Sequence, residues 1–215
     1  MLAGHVATGL LVGARSRQVS AGTWILAAVL VDLLVFVFVL AGIERIEFLD
    51  GRGAARYFHP LEIGFSHSLA AGVVFGALFA LALIAAGHAR RTALVAAILV
   101  AGHWVLDVIS HPPDMPLAPG LTWRVGLGLW TSIPATLAIE GGMWVAALVL
   151  FARHAGSSGI ARRVLYWAGA ALITLVWIGN IAGPPPANPA TAPVASLILF
   201  ALIVAWGYGI ARKTS

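Results

Sequence analysis

Titratable side chains are concentrated at the end of one apolar segment, in the stretch GHWVLDVISHPPD at 102–114. This stretch contains His103, Asp107 and His111, which are spaced four residues apart. Residues four apart lie on one helical face, so His103 and Asp107 can share a metal ion, or Asp107 can orient the His103 ring. Two such steps cover about 12 Å along a helix, a distance that one metal rarely bridges. We therefore expect His111 to serve a second metal, a substrate contact or the rim of the site.

Further titratable residues interrupt other apolar segments. His5 lies in the first such segment, Asp32 in the second, His67 at the start of the third and Glu140 in the fifth. An ionisable group within a membrane span costs about 3 kcal/mol and faces the bundle interior, so each one marks a candidate functional site. The predicted metal ligands are His5, Asp32, His67, His103, Asp107 and His111. Asp107 and Glu140 are predicted to act in catalysis, with Glu140 as the general base, although the Gly-Gly pair after Glu140 is equally compatible with close helix packing.

The composition restricts the metal chemistry. The chain has no cysteine, so nitrogen and oxygen atoms must hold any metal. Histidine and carboxylate ligands suit zinc, manganese, iron and magnesium, and zinc is our first choice, with manganese as an alternative. A divalent metal with an open position lowers the pKa of a bound water towards neutrality, and a nearby carboxylate can move the proton. We therefore predict hydrolysis of an ester or a phosphodiester.

The chain that positions these residues is predicted to be an integral membrane protein. Of its 215 residues, 60% are hydrophobic and only 10% are charged. The mean hydropathy of +0.96 is far too high for a soluble domain of this size. Seven apolar segments can be drawn, at about 2–14, 22–43, 64–87, 92–111, 134–152, 162–182 and 193–211. Most approach the roughly 20 residues that a bilayer core requires, although the first is short. We expect an all-α transmembrane bundle of about seven spans.

Basic residues are distributed unevenly over the connections between these segments. Alternate connections and the C-terminal tail contain basic residues without acidic ones: Arg15, Arg17, Arg90, Arg91, Arg153, Arg162, Arg163, Arg212 and Lys213. Such an excess is typical of cytoplasmic loops, so the N-terminus is predicted to lie outside and the C-terminus in the cytoplasm, with loops 44–62 and 112–133 outside. The formal net charge of +5 reflects these loops, and no nucleic-acid partner is predicted.

The titratable residues also predict an internal division and a depth for the site. One membrane domain is expected over 1–215, with site-bearing helices in 1–152 and two flanking helices in 153–215, because the last two segments contain no titratable residue. Counting about 1.5 Å per residue from the cytoplasmic arginines places most candidates in one layer, roughly 15–24 Å from that edge. By the same count His67 and His111 lie roughly 30–36 Å away, at the mouth of the site. A site in the outer half of the bilayer favours a lipid or lipid-linked substrate.

Two other functions use the same residue types. In a transporter or proton-coupled channel, aspartate and histidine relay protons or pass a metal ion, but here the polar layer stops short of the cytoplasmic half. In a non-catalytic scaffold the polar residues would only fasten helices together, and seven titratable groups exceed that need. Metal content after purification with and without a chelator separates these alternatives.

With these residues identified, the chain resembles the YdjM-like family of bacterial inner-membrane metal-dependent hydrolases over roughly its first 115 residues. The matching features are a histidine near the N-terminus, an aspartate in the next span, a Thr-His-Ser-like signature and a later Leu-Asp pair. Here they are His5, Asp32 in AVLVDLL, FSHS at 65–68 and Leu106-Asp107. The resemblance implies a metal-dependent hydrolase in a bacterial inner membrane.

Two positions depart from that family pattern. The family tends to have Pro-Asp-x-Asp in its second span, whereas this chain has VDLL at 31–34, so one carboxylate is missing. The family often has His-Arg shortly before the later histidine, whereas this chain has Glu62 and Ile63. Glu62 could replace that ligand with an oxygen donor, or the site could hold one metal fewer.

Overall fold

The computed structural model describes residues 1–16, 19–48, 58–155, 159–183 and 188–211. Within these ranges the chain forms eight α-helices, which confirms the predicted all-α class. The helices are α1 (Leu2–Arg15), α2 (Ala21–Leu40), α3 (Gly64–His67), α4 (Leu69–Ala85), α5 (Arg90–Ser110), α6 (Ile133–Ala155), α7 (Ile160–Ala182) and α8 (Ala192–Ile210). Two short antiparallel hairpins join them, β1 (Arg45–Phe48) with β2 (Phe58–Glu62) and β3 (Met115–Pro116) with β4 (Arg124–Val125).

Five helical stretches are long and apolar enough to cross a membrane: α2, α5, α6, α7 and the stretch Pro189–Ile210 that contains α8. The chain is therefore a multi-pass helical membrane protein. Helix α4 is apolar but has only 17 residues, and α1 has 14. The count of seven spans and the outward N-terminus stay predictions. Arg17, Arg212 and Lys213, which support part of that orientation, lie outside the described residues.

Helix α1 is enclosed by its neighbours rather than by lipid. Ala3, His5, Val6 and Leu10 are fully buried, and the helix packs against α2 and α6. A Cβ atom at Gly9 would lie 2.7 Å from the Cα of Ile25, so only glycine permits this approach of α1 to α2. This packing fixes the position of the short helix, and with it the position of His5.

The predicted segment 64–87 is not one continuous helix, which corrects the expectation from its apolar pattern. Ser68 has an extended backbone, with φ −89° and ψ 155°, and separates α3 from α4. The Ser68 hydroxyl accepts a hydrogen bond from the Ala71 N–H at 3.1 Å, and this cap begins α4. Because the helix is interrupted there, counting residues along a single axis does not give the depth of His67.

Helix α5 carries the predicted pair His103 and Asp107 on one buried face and packs against α4 and α2. The helix ends at Ser110, since two prolines follow within three residues. The loop beyond it folds back onto the helix, where Trp104 Nε1 donates to the Pro116 carbonyl at 2.8 Å. The β3–β4 hairpin is thereby held against the C-terminal part of α5.

Helices α7 and α8 pack against each other, and α8 also packs against α2. The contact with α2 is close, because a Cβ atom at Gly207 would lie 2.8 Å from the Cα of Gly22. Neither helix contains a predicted ligand. The division into site-bearing helices in 1–152 and flanking helices in 153–215 stays a prediction.

Candidate metal centre

Predicted ligands from four helices converge between α1, α2, α3 and α5. Candidate ligand atoms of His5, His103 and Asp107 lie within 4.8 Å of one another, and so do those of Asp32, His67 and His103. Four of these five side chains are buried, and Asp32 retains 16% of its side-chain exposure. Because His103 belongs to both groups, the two form one cluster.

Four of the side chains form a ring in which nitrogen and oxygen atoms alternate. His103 Nε2 lies 3.0 Å from Asp107 Oδ2 and 3.7 Å from Asp32 Oδ1. His67 Nε2 lies 3.6 Å from Asp32 Oδ1 and 3.8 Å from Asp107 Oδ2. Ligand atoms bound at zinc distances in a tetrahedron are about 3.3–3.6 Å apart. One of the four spacings is shorter than that range, one lies at its upper limit and two slightly exceed it, so small shifts would let this ring hold a metal ion.

His103 directs its Nε2 at the ring. Its Nδ1 lies 2.8 Å from the Ala28 carbonyl oxygen, which can only accept, so Nδ1 carries the proton. In neutral His103 the Nε2 lone pair then faces the Asp107 carboxylate. Among the described residues, neither His103 Nε2 nor Asp107 Oδ2 has a hydrogen-bond partner, although both atoms are buried. A lone pair that faces a carboxylate requires a positive charge between them, either a proton or a metal ion, and this donor pair fits a divalent metal.

His67 is held from the other side by two residues that were not predicted as site residues. Ser66 Oγ lies 2.8 Å from His67 Nδ1 and donates to Glu44 Oε2 at 2.6 Å. Glu44 Oε1 accepts the Ser66 N–H at 2.8 Å. Burial raises the pKa of Glu44 above its ordinary value, and the hydrogen bonds from Ser66 oppose that rise. The sequence offered no spacing that links Glu44 to His67, and the serine beside His67 was its only signal.

Asp107 links His5 to the ring. Its Oδ1 lies 2.9 Å from His5 Nε2 and 3.1 Å from the amine of Met1, while its Oδ2 faces His103 and His67. The His5 ring stacks on His103, with centroids 3.6 Å apart and 9° between the planes. Asp107 can therefore bind a cation through one oxygen and accept hydrogen bonds through the other.

Glu140 is buried at the N-terminal end of α1. Its Oε1 accepts the Gly4 N–H at 3.1 Å, where a carboxylate also interacts favourably with the helix dipole. This contact holds α6 against the start of α1. It accounts for the burial of Glu140.

His111 and Glu62 lie apart from the cluster. His111 Nδ1 is 3.0 Å from Asp114 Oδ1, in the loop that follows α5. Glu62 is exposed at the end of β2, where it pairs with Arg45. Neither belongs to the two ligand groups found within the described ranges. The structure thus brings together five of the six predicted ligands.

This fold and this site define a class: a multi-pass helical membrane protein with a buried His and Asp cluster that could hold a metal ion. Comparisons with protein-family models, curated proteins and solved structures find no match. The resemblance to the YdjM-like family therefore rests on the residues quoted for it.

Proposed function

We propose that this protein is a metal-dependent hydrolase of the bacterial inner membrane that acts on an ester or phosphodiester of a lipid or lipid-linked substrate. One observation carries the proposal: the alternating ring of Asp32, His67, His103 and Asp107, with an unpartnered nitrogen and oxygen 3.0 Å apart inside it. The resemblance to the YdjM-like hydrolases supports the same reaction class.

The four ring residues would hold the metal, with zinc as the first choice and manganese as the alternative. A divalent ion in such a site polarises the scissile group and lowers the pKa of a water molecule. The chain's own residues prepare the site for this. The Ala28 carbonyl holds the proton of His103 on Nδ1, and Asp107 Oδ1 holds His5 against the ring. Glu140 is the proposed general base, and Asp107 is proposed to act in catalysis as well as in binding.

A lipid or lipid-linked substrate is supported by the surroundings of the ring. Asp32 is the most exposed member of the ring, so substrate would approach from its side of α2. The helices around the cluster present large apolar side chains outward, among them Val74 and Leu78 on α4 and Ile98 on α5. An acyl chain could follow these surfaces through the bilayer, whereas a soluble substrate would have to leave water to reach the ring.

The test is a screen of phospholipids and lipid-linked phosphates with the purified full chain in detergent, supplied with zinc or manganese. We expect turnover by the wild type and by the control His88→Ala, whose histidine lies between α4 and α5. We expect the Asp107→Asn variant to lose turnover. Full turnover by Asp107→Asn would contradict the proposal. Stoichiometric metal without hydrolysis would favour a transporter, and no bound metal would favour a scaffold.

A further inference from the structure

A buried chain of hydrogen bonds runs from the loop after α2 to the metal centre. It begins at Glu44, passes through the hydroxyl of Ser66 and ends at Nδ1 of His67. We propose that Glu44 and Ser66 are positioning residues that keep the His67 proton on Nδ1 and its Nε2 lone pair directed at Asp32 and Asp107. This inference deepens the proposed function, since it rests on His67 being a ligand.

With Glu44 ionised, the donors and acceptors along these hydrogen bonds allow one direction. The Ser66 N–H can only donate, so Glu44 Oε1 must accept. The 2.6 Å separation of Ser66 Oγ from Glu44 Oε2 is typical of a hydroxyl that donates to an ionised carboxylate. The single hydroxyl proton is then used on Glu44, and Ser66 Oγ can only accept from His67 Nδ1–H at 2.8 Å. Nε2 of His67 is consequently left as the metal-binding nitrogen.

The backbone attaches this chain of hydrogen bonds to the helix that carries another ligand. The N–H groups of Ile43 and Glu44 both bond to the Phe38 carbonyl, at 2.8 and 3.2 Å, near the end of α2. Asp32 lies six residues before Phe38 on the same helix. Glu44 therefore ties α3, through Ser66, to α2, and the break at Ser68 lets α3 meet this carboxylate. The arrangement sets the spacing between His67 and Asp32.

Substitution of Glu44 by glutamine would reverse the direction of donation along these hydrogen bonds, with little change in side-chain shape. The amide oxygen would still accept the Ser66 N–H, so the amide NH₂ would face Ser66 Oγ. The serine would then donate its own proton to His67 Nδ1, and the ring would carry its proton on Nε2. A residue that merely caps α3 would leave the protonation of His67 unchanged.

The first measurement needs no metal. Nitrogen NMR of ¹⁵N-histidine-labelled full chain in detergent, treated with chelator, reports which ring nitrogen is protonated, and His67→Gln assigns the signal. We expect Nδ1–H in the wild type and a shift of the proton to Nε2 in Glu44→Gln. Ser66→Ala is the second variant, in case Glu44→Gln does not fold. In this variant the His67 proton should be distributed over both ring nitrogens. An Nε2–H wild type, or a folded Glu44→Gln with an unchanged signal, would overturn the inference.

The second measurement is zinc affinity by chelator competition. Glu44→Gln and Ser66→Ala should each weaken zinc binding 10- to 100-fold. Because both act through the same hydrogen bonds, the double variant should have about the affinity of the weaker-binding single variant. A matched control, Glu47→Gln, changes an exposed carboxylate on β1 and should bind zinc like the wild type. Equal affinity in all variants would overturn the inference. A wild type that binds neither zinc nor manganese would refute the proposed function, while the NMR result would still decide the positioning role.

Discussion

The two carboxylate oxygens of Asp107 have different partners, so replacement of Asp107 by asparagine gives the sharpest test of the metal centre. Oδ1 accepts from His5 Nε2 at 2.9 Å and from the Met1 amine at 3.1 Å. Oδ2 faces His103 Nε2 at 3.0 Å and His67 Nε2 at 3.8 Å. Asparagine has the same shape but only one oxygen, so it can satisfy one of these two sides.

Either orientation of the Asp107→Asn amide is unfavourable. With NH₂ towards the ring, a donor replaces a negatively charged ligand. With NH₂ towards His5, the amide faces groups that themselves donate, inside a buried site. We expect zinc affinity to fall at least 10- to 100-fold, which corresponds to about 1.4–2.7 kcal/mol.

The assay is chelator competition on the purified full chain in detergent, with thermal unfolding measured alongside to establish that the variant folds. Asp114→Asn is the matched control, because that carboxylate bonds to His111 in the loop after α5 and should leave zinc affinity unchanged. If folded Asp107→Asn binds zinc as tightly as the wild type, the ring is not a metal centre and the reasoning from its distances is wrong.

Three further predictions test the orientation, the packing and the proton acceptor. Reporter fusions at Gly51 and Ser215 should lie in opposite compartments, and finding both in one compartment would overturn the predicted spans. Gly9→Ala should lower the free energy of unfolding by about 1–3 kcal/mol, because the new methyl carbon would lie 2.7 Å from the Cα of Ile25 on α2. Gly102→Ala places its methyl group in open space and should leave the stability unchanged. Glu140→Gln keeps an oxygen that accepts the Gly4 N–H of α1, so it should retain zinc affinity. Its turnover should fall about 100- to 10,000-fold, and unchanged turnover would exclude Glu140 as the base.

Local pattern was enough to predict the parts of the site that depend on one helix. His103 and Asp107 are four residues apart, and in α5 they share a buried face as that spacing requires. The apolar pattern likewise predicted His5 and Asp32 as interior residues of α1 and α2. For His67 the residue type was informative, but the depth count placed it at the mouth. The structure puts its Nε2 3.6 Å from Asp32 Oδ1, because the helix is broken at Ser68.

The sequence by itself determined that this is a helical membrane protein and which chemistry its site can use. Long apolar segments must become helices in a bilayer, because every backbone N–H and carbonyl needs an internal partner there. The absence of cysteine left nitrogen and oxygen as the only metal donors. Both conclusions follow from composition and from spacing within a segment, and neither depends on how the segments meet.

Only the tertiary structure decided which groups meet at the ring and what holds them. Glu44 is one of several acidic residues in a predicted outer loop, yet it reaches across 22 positions of sequence to Ser66. Glu140, predicted as a base, bonds to Gly4 across 136 positions. Such contacts depend on the packing of one helix against another, and that packing is set by close approaches such as Gly9 on Ile25, for which a periodic pattern in one segment carries no information.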